Sequence, residues 1–294
     1  MNGFCTSLLI ICVFFATSCA QNKKTDYVVT FKTSYGDMVA ILYDETPKHK
    51  ENFIKLAQDK FFDSLLFHRV IQDFMIQGGD PDSKRAKPNQ PLGRGGPGYT
   101  VEAEFNSKFF HHKGALSAAR MGDNVNPTKA SSGSQFYVVQ GKVMTNEELK
   151  QLEENMHFQK KNMLLRECLG MPKYADVRQE VITKQQSGDG PWLQSFFENC
   201  DTLIRKERPD FKPFLFSPEQ KEAYSTIGGA PHLDSDYTVF GKIIKGLEVI
   251  DKIAAQPKGG GDRPVEDIRM FVTVEEMSKK KIEKEYGYVY PEKK

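Results

Sequence analysis

The segment 67–80, FHRVIQDFMIQGGD, places one permanent cation, Arg69, among apolar side chains, with the amide of Gln77 in the same run. A guanidinium stays charged at physiological pH and presents several N–H donors in a fixed plane, so it can stabilise a carbonyl oxygen or a lone pair without reacting itself. The pattern is also typical of an arginine whose aliphatic stem covers apolar surface, or whose charge pairs with a carboxylate. The segment by itself leaves both interpretations open.

Other catalytic chemistries lack the residues that they need. The six histidines include no HExxH pattern and no pair at i, i+4, so we expect no metal site and no cofactor. The glycine-rich run 93–98 is not followed by the Lys-Ser/Thr pair of a phosphate-binding loop, and it predicts a bent surface loop. The run 131–134 lacks the nucleophile-elbow pattern and predicts a turn.

The run 67–80 is similar to the signature strand pair of the cyclophilin-type peptidyl-prolyl cis/trans isomerases. Three further blocks, LSAAR at 116–120, GSQFY at 133–137 and YTVFG at 237–241, resemble the next blocks of that family in the same order. The early helix start at Thr46-Pro47 also matches. The resemblance covers roughly residues 27–141 and 230–275, and it implies the fold and the isomerase activity of the family.

Position by position, the resemblance implies a catalytic role for Arg69, with Gln77 and Gln135 holding the arginine and the substrate backbone. The implied substrate-binding residues are Phe74, Met75, Ala119, Arg120, Tyr137, Leu233 and Tyr237. Arg120 stands where many members have Asn, and Tyr237 where they have His. His232 replaces a tryptophan at the pocket rim, which argues against strong cyclosporin binding.

The activity that the resemblance implies needs no covalent intermediate. Resonance gives the prolyl peptide bond a rotation barrier of about 20 kcal/mol, and the twisted amide regains a lone pair on its nitrogen. An arginine that donates to this nitrogen binds the transition state more tightly than the planar ground state. Since a guanidinium does not deprotonate near neutrality, the rate is predicted to be constant from about pH 6 to 9.

The elements that must position these residues are mostly short strands. Residues 27–33 and 38–43 predict a hairpin with the connection 34–37, and 65–77, 114–120, 135–140, 237–244 and 268–274 predict further strands. Two helices are predicted, one beginning at Thr46-Pro47 and one over 247–254. The pattern predicts a mainly β fold, and the resemblance makes it a closed antiparallel eight-stranded barrel capped by two helices.

Residues 142–230 change to a helical period and predict an insertion within the isomerase domain, 27–275. Capping boxes stand at Thr145/Glu148 and Ser217/Gln220. The apolar stripe from Leu193 to Ile204 is the strongest in the chain, and we expect it to pack on the barrel wall. The insertion is either a self-contained decoration or an arm that binds partners.

The two ends carry different signals. Residues 8–15 are apolar but too few to span a bilayer, and the small residues before Cys19 resemble a bacterial lipoprotein signal. This predicts a signal peptide over 1–18, an acylated Cys19, a tether over 19–26, and anchoring in the bacterial envelope on the periplasmic side. Simple secretion and an uncleaved anchor remain alternatives. Residues 276–294 predict a charged tail.

Processing at Cys19 leaves Cys168 and Cys200, whose pairing in a disulfide the spacing does not decide. A net charge of +2 favours no nucleic-acid partner. The expected partners are proline-containing unfolded or secreted polypeptides, bound by a monomer. The alternative functions are a module that binds proline segments without useful catalysis, and a chaperone that acts through the insertion.

Overall fold

The computed structural model describes residues 24–291, and strands make up its centre. These strands are β1 (Thr25–Thr33), β2 (Gly36–Leu42), β3 (Leu65–Leu66), β4 (Arg69–Ile71), β5 (Met75–Gly78), β6 (Thr100–Val101), β7 (Ala115–Ala118), β8 (Ser131–Ser132), β9 (Phe136–Val139), β10 (Val239–Lys245) and β11 (Arg269–Ser278). Nine of them form one antiparallel sheet in the spatial order β3-β11-β1-β2-β10-β7-β9-β5-β4, and β6 pairs with β8 separately. The β1–β2 hairpin turns over two residues, because Thr33 pairs with Gly36.

The prediction of a closed eight-stranded barrel is wrong. The sheet is an open half-barrel of nine strands, and among the described strands its two edges, β3 and β4, do not pair with each other. Both edges belong to the segment predicted as one strand, 65–77. Its first part bonds to β11 and its second part to β5, with Phe67 and His68 between them. A turn then follows, in which Asp73 takes a left-handed φ of 61° and Phe74 N–H donates to Ile71 O.

Eight α-helices surround the sheet in the described chain: α1 (Pro47–Gln58), α2 (Asn146–Gly170), α3 (Ala175–Gln186), α4 (Gly190–Asn199), α5 (Asp201–Glu207), α6 (Pro218–Thr226), α7 (Leu247–Ala254) and α8 (Lys279–Tyr286). The apolar faces of α1 and α7 share one core with the inward-facing side chains of the strands. Phe53 of α1 lies at the centre of an aromatic cluster, with ring centroids within 5.9 Å of those of Phe31, Phe62, Phe136 and Phe240. This core fixes the strands that carry the candidate site.

Helices α2 to α6 lie between β9 and β10 and build cores of their own. Both predicted capping boxes form, at Thr145/Glu148 and Ser217/Gln220. The stripe of α4 and α5 packs against α2 and not against the barrel wall: Ile204 is fully buried with Leu164 and Leu165. The expected packing was therefore wrong, because α2 offers its own apolar side chains to the stripe. A second cluster joins α2 to α6 around Tyr224.

The insertion leaves and rejoins the sheet at one point. Lys142 and Gly229 form an antiparallel bridge, and Gly229 also bridges to His112. Gly141 has a φ of 64°, and a Cβ there would lie 2.3 Å from Gly229 Cα, so the two chain segments can meet only without side chains.

In the predicted tail, residues 276–278 end β11 and residues 279–286 form helix α8, whose Ile282 is buried with Val28 and Ile41. Cys168 and Cys200 are buried free thiols. Within residues 24–291 no helix is long and apolar enough to cross a membrane. The predicted signal peptide 1–18 and the predicted lipidation site Cys19 lie outside the described residues.

Candidate active site

A pocket of about 110 Å³ opens at the end of the sheet where β4, β5 and β9 meet the loops before β10. Nine of the ten predicted site residues line it: Arg69, Phe74, Met75, Gln77, Ala119, Arg120, Tyr137, Leu233 and Tyr237. The tenth, Gln135, is hydrogen-bonded to Gln77. Met75 and Tyr137 are buried and form an apolar floor. The structure thus brings residues from distant parts of the chain into one site.

Strand register places Arg69 beside Gln77. The two residues are direct partners in the β4–β5 ladder, and the Arg69 guanidinium donates to Gln77 Oε1 at 3.3 Å. Gln77 Nε2 donates to Gln135 Oε1 at 3.0 Å, and Gln135 Nε2 donates to Gly95 O at 2.8 Å. Each amide uses its oxygen on one side and its nitrogen on the other. This series of hydrogen bonds therefore sets which atom of Gln77 faces the arginine.

Asp80 holds the loop that ends this series of hydrogen bonds. The sequence analysis did not identify it as a site residue. Its carboxylate is buried and accepts from the backbone N–H groups of Gly93 and Gly95. A Cβ at Gly95 would lie 2.1 Å from Asp80 Oδ1, so the close approach requires glycine. The run 93–98 is the loop that the sequence predicts, but its role is to present the Gly95 carbonyl to Gln135.

Asp262 was missed as well. Its Oδ2 lies 3.7 Å from Arg69 Nε, and its Oδ1 accepts from Lys258 Nζ at 2.8 Å. The Arg69 side chain is 39% exposed, so its charge is open to the pocket as well as to Asp262. Nothing in the glycine-rich run around Asp262 marks it as a neighbour of Arg69, since the two residues meet only in the fold.

The opposite wall is held by Arg120. Its guanidinium carbon lies 4.5 Å from the centroid of the Tyr237 ring, and its Nε donates to Asp236 O at 2.8 Å. A cation above an aromatic face attracts the ring electrostatically. The Arg120 side chain thus keeps Tyr237 at the wall, in addition to any contact that its main chain makes.

Burial disfavours the charged forms of Tyr137, at the pocket floor, and of His232, at the rim. Burial raises the pKa of the Tyr137 hydroxyl well above its ordinary value, and His111 Nε2 lies 3.0 Å from that hydroxyl. Burial also lowers the pKa of His232, whose ring lies 5.3 Å from that of Phe74. A polypeptide in the pocket would therefore meet the guanidinium groups of Arg69 and Arg120, the amide of Gln77 and apolar surfaces.

The described residues contain no group of three His, Cys, Asp or Glu side chains able to hold a metal ion. The arrangement suits a reaction in which a neutral polar group changes its electron distribution beside a cation while an apolar ring is held. Rotation about a peptide bond that precedes proline is such a reaction.

The sequence model of the family "Cyclophilin type peptidyl-prolyl cis-trans isomerase/CLD" matches residues 28–158 and 220–274. Two staphylococcal proteins named "Putative peptidyl-prolyl cis-trans isomerase" are similar along most of the chain. That of Staphylococcus epidermidis is 32% identical over 84% of this chain and 90% of its own length. That of Staphylococcus haemolyticus is 33% identical over 84% of this chain and 89% of its own length. The chain therefore belongs to the cyclophilin-type family of peptidyl-prolyl cis-trans isomerases.

A crystal structure of a cyclophilin-type isomerase from Cryptosporidium parvum covers 85% of this chain and 98% of its own, with 18% identity and a TM-score of 0.49. The family match leaves a gap between its two parts, residues 159–219, which holds α3, α4 and α5 together with the distal half of α2. The matched parts contain all ten predicted site residues.

Proposed function

We propose that the pocket accelerates Xaa-Pro rotation by a non-covalent mechanism in which Arg69 stabilises the twisted amide. The observation that carries this is the orientation of Arg69 at the pocket edge by the Gln77–Gln135–Gly95 hydrogen-bond chain. The arginine can donate to the prolyl nitrogen when that nitrogen becomes pyramidal. Because the planar amide offers no such lone pair, the interaction is strongest in the transition state.

The other site residues have distinct roles in this proposal. Phe74 and Leu233 hold the proline ring over the buried floor that Met75 and Tyr137 form. Gln135 and the main chain at Ala119 and Arg120 bind the substrate backbone. The apolar surroundings also displace water that would stabilise the planar amide.

One charge-assisted hydrogen bond is worth about 1.5–3 kcal/mol, which corresponds to an acceleration of roughly 10- to 150-fold. Arg69 therefore supplies part of the acceleration, and the pocket supplies the rest by fixing the ring and excluding water.

A protease-coupled assay on a Xaa-Pro tetrapeptide tests the mechanism. Arg69→Ala is expected to reduce kcat/KM at least about tenfold while the circular dichroism spectrum stays unchanged. Arg205→Ala is the matched control: Arg205 is half-exposed and lies 3.6 Å from Asp201, far along the chain from the pocket. Wild-type turnover in Arg69→Ala would refute the assignment. A wild-type protein that binds proline peptides without accelerating them would instead be a binding module.

The proposed setting is the bacterial envelope, where the isomerase assists the folding of secreted polypeptides. The support is the lipoprotein-like run that ends at Cys19. Labelling with a radioactive fatty acid, followed by fractionation, tests it. Wild type should carry the label and sediment with membranes, and Cys19→Ser should do neither. An unlabelled wild-type protein would contradict the anchor.

A further inference from the structure

Asp234 is a buried carboxylate that directly follows the pocket residue Leu233, and it receives hydrogen bonds from two separate parts of the chain. His111 donates its backbone N–H to Asp234 Oδ1 at 2.9 Å, and its ring Nδ1 lies 2.8 Å from the same oxygen. Tyr224 Oη and Gln220 Nε2, both on α6, donate to Oδ2 at 2.6 and 3.1 Å. Since a carboxylate removed from water needs such donors, the four contacts hold Asp234 in one place.

His111 continues this connection to the pocket floor. Its Nε2 lies 3.0 Å from Tyr137 Oη, and the two rings are nearly parallel, at 11°. The carboxylate of Asp234 can only accept, so Nδ1 carries the proton towards it. In a neutral ring Nε2 is then the acceptor, and the Tyr137 hydroxyl donates to it. The hydrogen bond between the Tyr137 hydroxyl and His111 therefore fixes the Tyr137 ring, which lines the pocket.

At the end away from the pocket, these hydrogen bonds reach Tyr224 of the insertion. The Tyr224 ring is fully buried and meets those of Phe110 and Phe216 edge-on, each at 5.6 Å. Glu153 of α2 holds the neighbouring turn, since it pairs with Lys221 at 2.9 Å and accepts from Phe216 N–H at 2.6 Å. The insertion thus reaches the pocket through the buried hydrogen bonds that join Tyr224 to Asp234, Asp234 to His111 and His111 to Tyr137.

We propose that Tyr224 and Asp234 are positioning residues for the proline pocket, and that α6 thereby sets the affinity for prolyl substrates. The inference rests on the proposed function of the pocket. Removal of the Tyr224 hydroxyl takes one donor from Asp234, so Leu233 and, through His111, Tyr137 lose their fixed positions. Neither positioning residue lines the pocket. Ground-state and transition-state binding therefore weaken together, which raises KM and spares kcat.

The test measures kcat and KM separately for Tyr224→Phe, which keeps the ring and removes only the hydroxyl. We expect KM to rise about fivefold, equivalent to about 1 kcal/mol, with kcat within about twofold of wild type. Tyr174→Phe is the matched control, because Tyr174 also donates to a carboxylate of the insertion, Glu207, at 2.7 Å. Its KM and kcat should both equal those of wild type.

A merely structural role for Tyr224 would lower the folded fraction, and so lower apparent kcat at unchanged KM; that result would overturn the inference. In a Tyr137→Phe background the effect of Tyr224→Phe on KM should shrink, since the connection is already broken. Full additivity of the two substitutions would also overturn it. Unchanged KM in Tyr224→Phe beside an active wild type refutes this inference alone. An inactive wild-type protein removes the proposed function and the inference with it.

Discussion

Gln77→Leu removes the hydrogen bond between Gln77 and Arg69 but keeps a side chain of similar size in the pocket lining. Leucine is similar in size to glutamine, but it cannot accept the guanidinium N–H that now lies 3.3 Å from Gln77 Oε1. Arg69 then keeps only Asp262, at 3.7 Å, among the contacts described above. The guanidinium remains half-exposed, yet it is free to leave the position from which, in the proposed mechanism, it donates to the prolyl nitrogen.

The magnitude follows from the geometry. A hydrogen bond to a charged group is worth about 1.5–3 kcal/mol, and a length of 3.3 Å places this one at the weak end. A loss of about 1.5 kcal/mol corresponds to a reduction of kcat/KM of roughly tenfold. The protease-coupled tetrapeptide assay measures it directly, and thermal unfolding followed by circular dichroism provides the check on folding.

The same substitution in an Arg69→Ala background tests the reasoning. If Gln77 acts through the arginine, Gln77→Leu has little further effect once the guanidinium is gone. A second tenfold loss in that background would refute the argument, because Gln77 would then act by a route other than the arginine, either on the substrate directly or through Gln135, to which its Nε2 donates. A single variant within twofold of wild type would refute it as well.

Three further predictions concern pH and packing. Because guanidinium does not titrate near neutrality, kcat/KM on a Xaa-Pro peptide should be constant from about pH 6 to 9, and a bell-shaped profile would contradict the role of Arg69. Burial lowers the pKa of His68 from 6.5 to about 4, so the unfolded chain takes up the proton first on acidification. The contribution of His68 to the free energy of unfolding should be complete above pH 6.5, and the free energy of unfolding should fall by about 3 kcal/mol towards pH 4. Denaturant titrations should show a smaller fall in His68→Leu. Ile204→Ala opens the distal core of the insertion and should cost about 2–5 kcal/mol in unfolding free energy. It should leave tetrapeptide turnover unchanged, since its cluster is separate from that of Tyr224; reduced turnover would show that the distal core also supports the pocket.

The helix signals were readable from local sequence. Each capping box needs only a side chain and a backbone N–H three residues away, so Thr145/Glu148 and Ser217/Gln220 could be read directly. The strand pattern of 65–77 was also correct in kind. Its division into three strands was not predictable, because the turn at Asp73 depends on a backbone conformation that leaves little trace in the apolar pattern.

The packing of the insertion shows the same limit. Periodicity identified an apolar face on α4 and α5, but a face does not specify its partner. The apolar stripe packs against α2, through Leu164 and Leu165, and the sheet has a separate core. Amphipathicity predicts that a face will be buried, while the partner depends on long-range geometry.

The sequence by itself determined the family, the cation and amides at the site, and the residues that line the pocket, because each of these is a matter of residue type and order within short blocks. Only the tertiary structure decided how Arg69 is held. The Gly95 carbonyl and Asp262 come from loops outside the segment 67–80, and hydrogen-bond direction depends on distances of a few tenths of an ångström. It also decided that the sheet stays open, and that α6 reaches the pocket through Asp234. Such contacts join residues whose proximity no local pattern records.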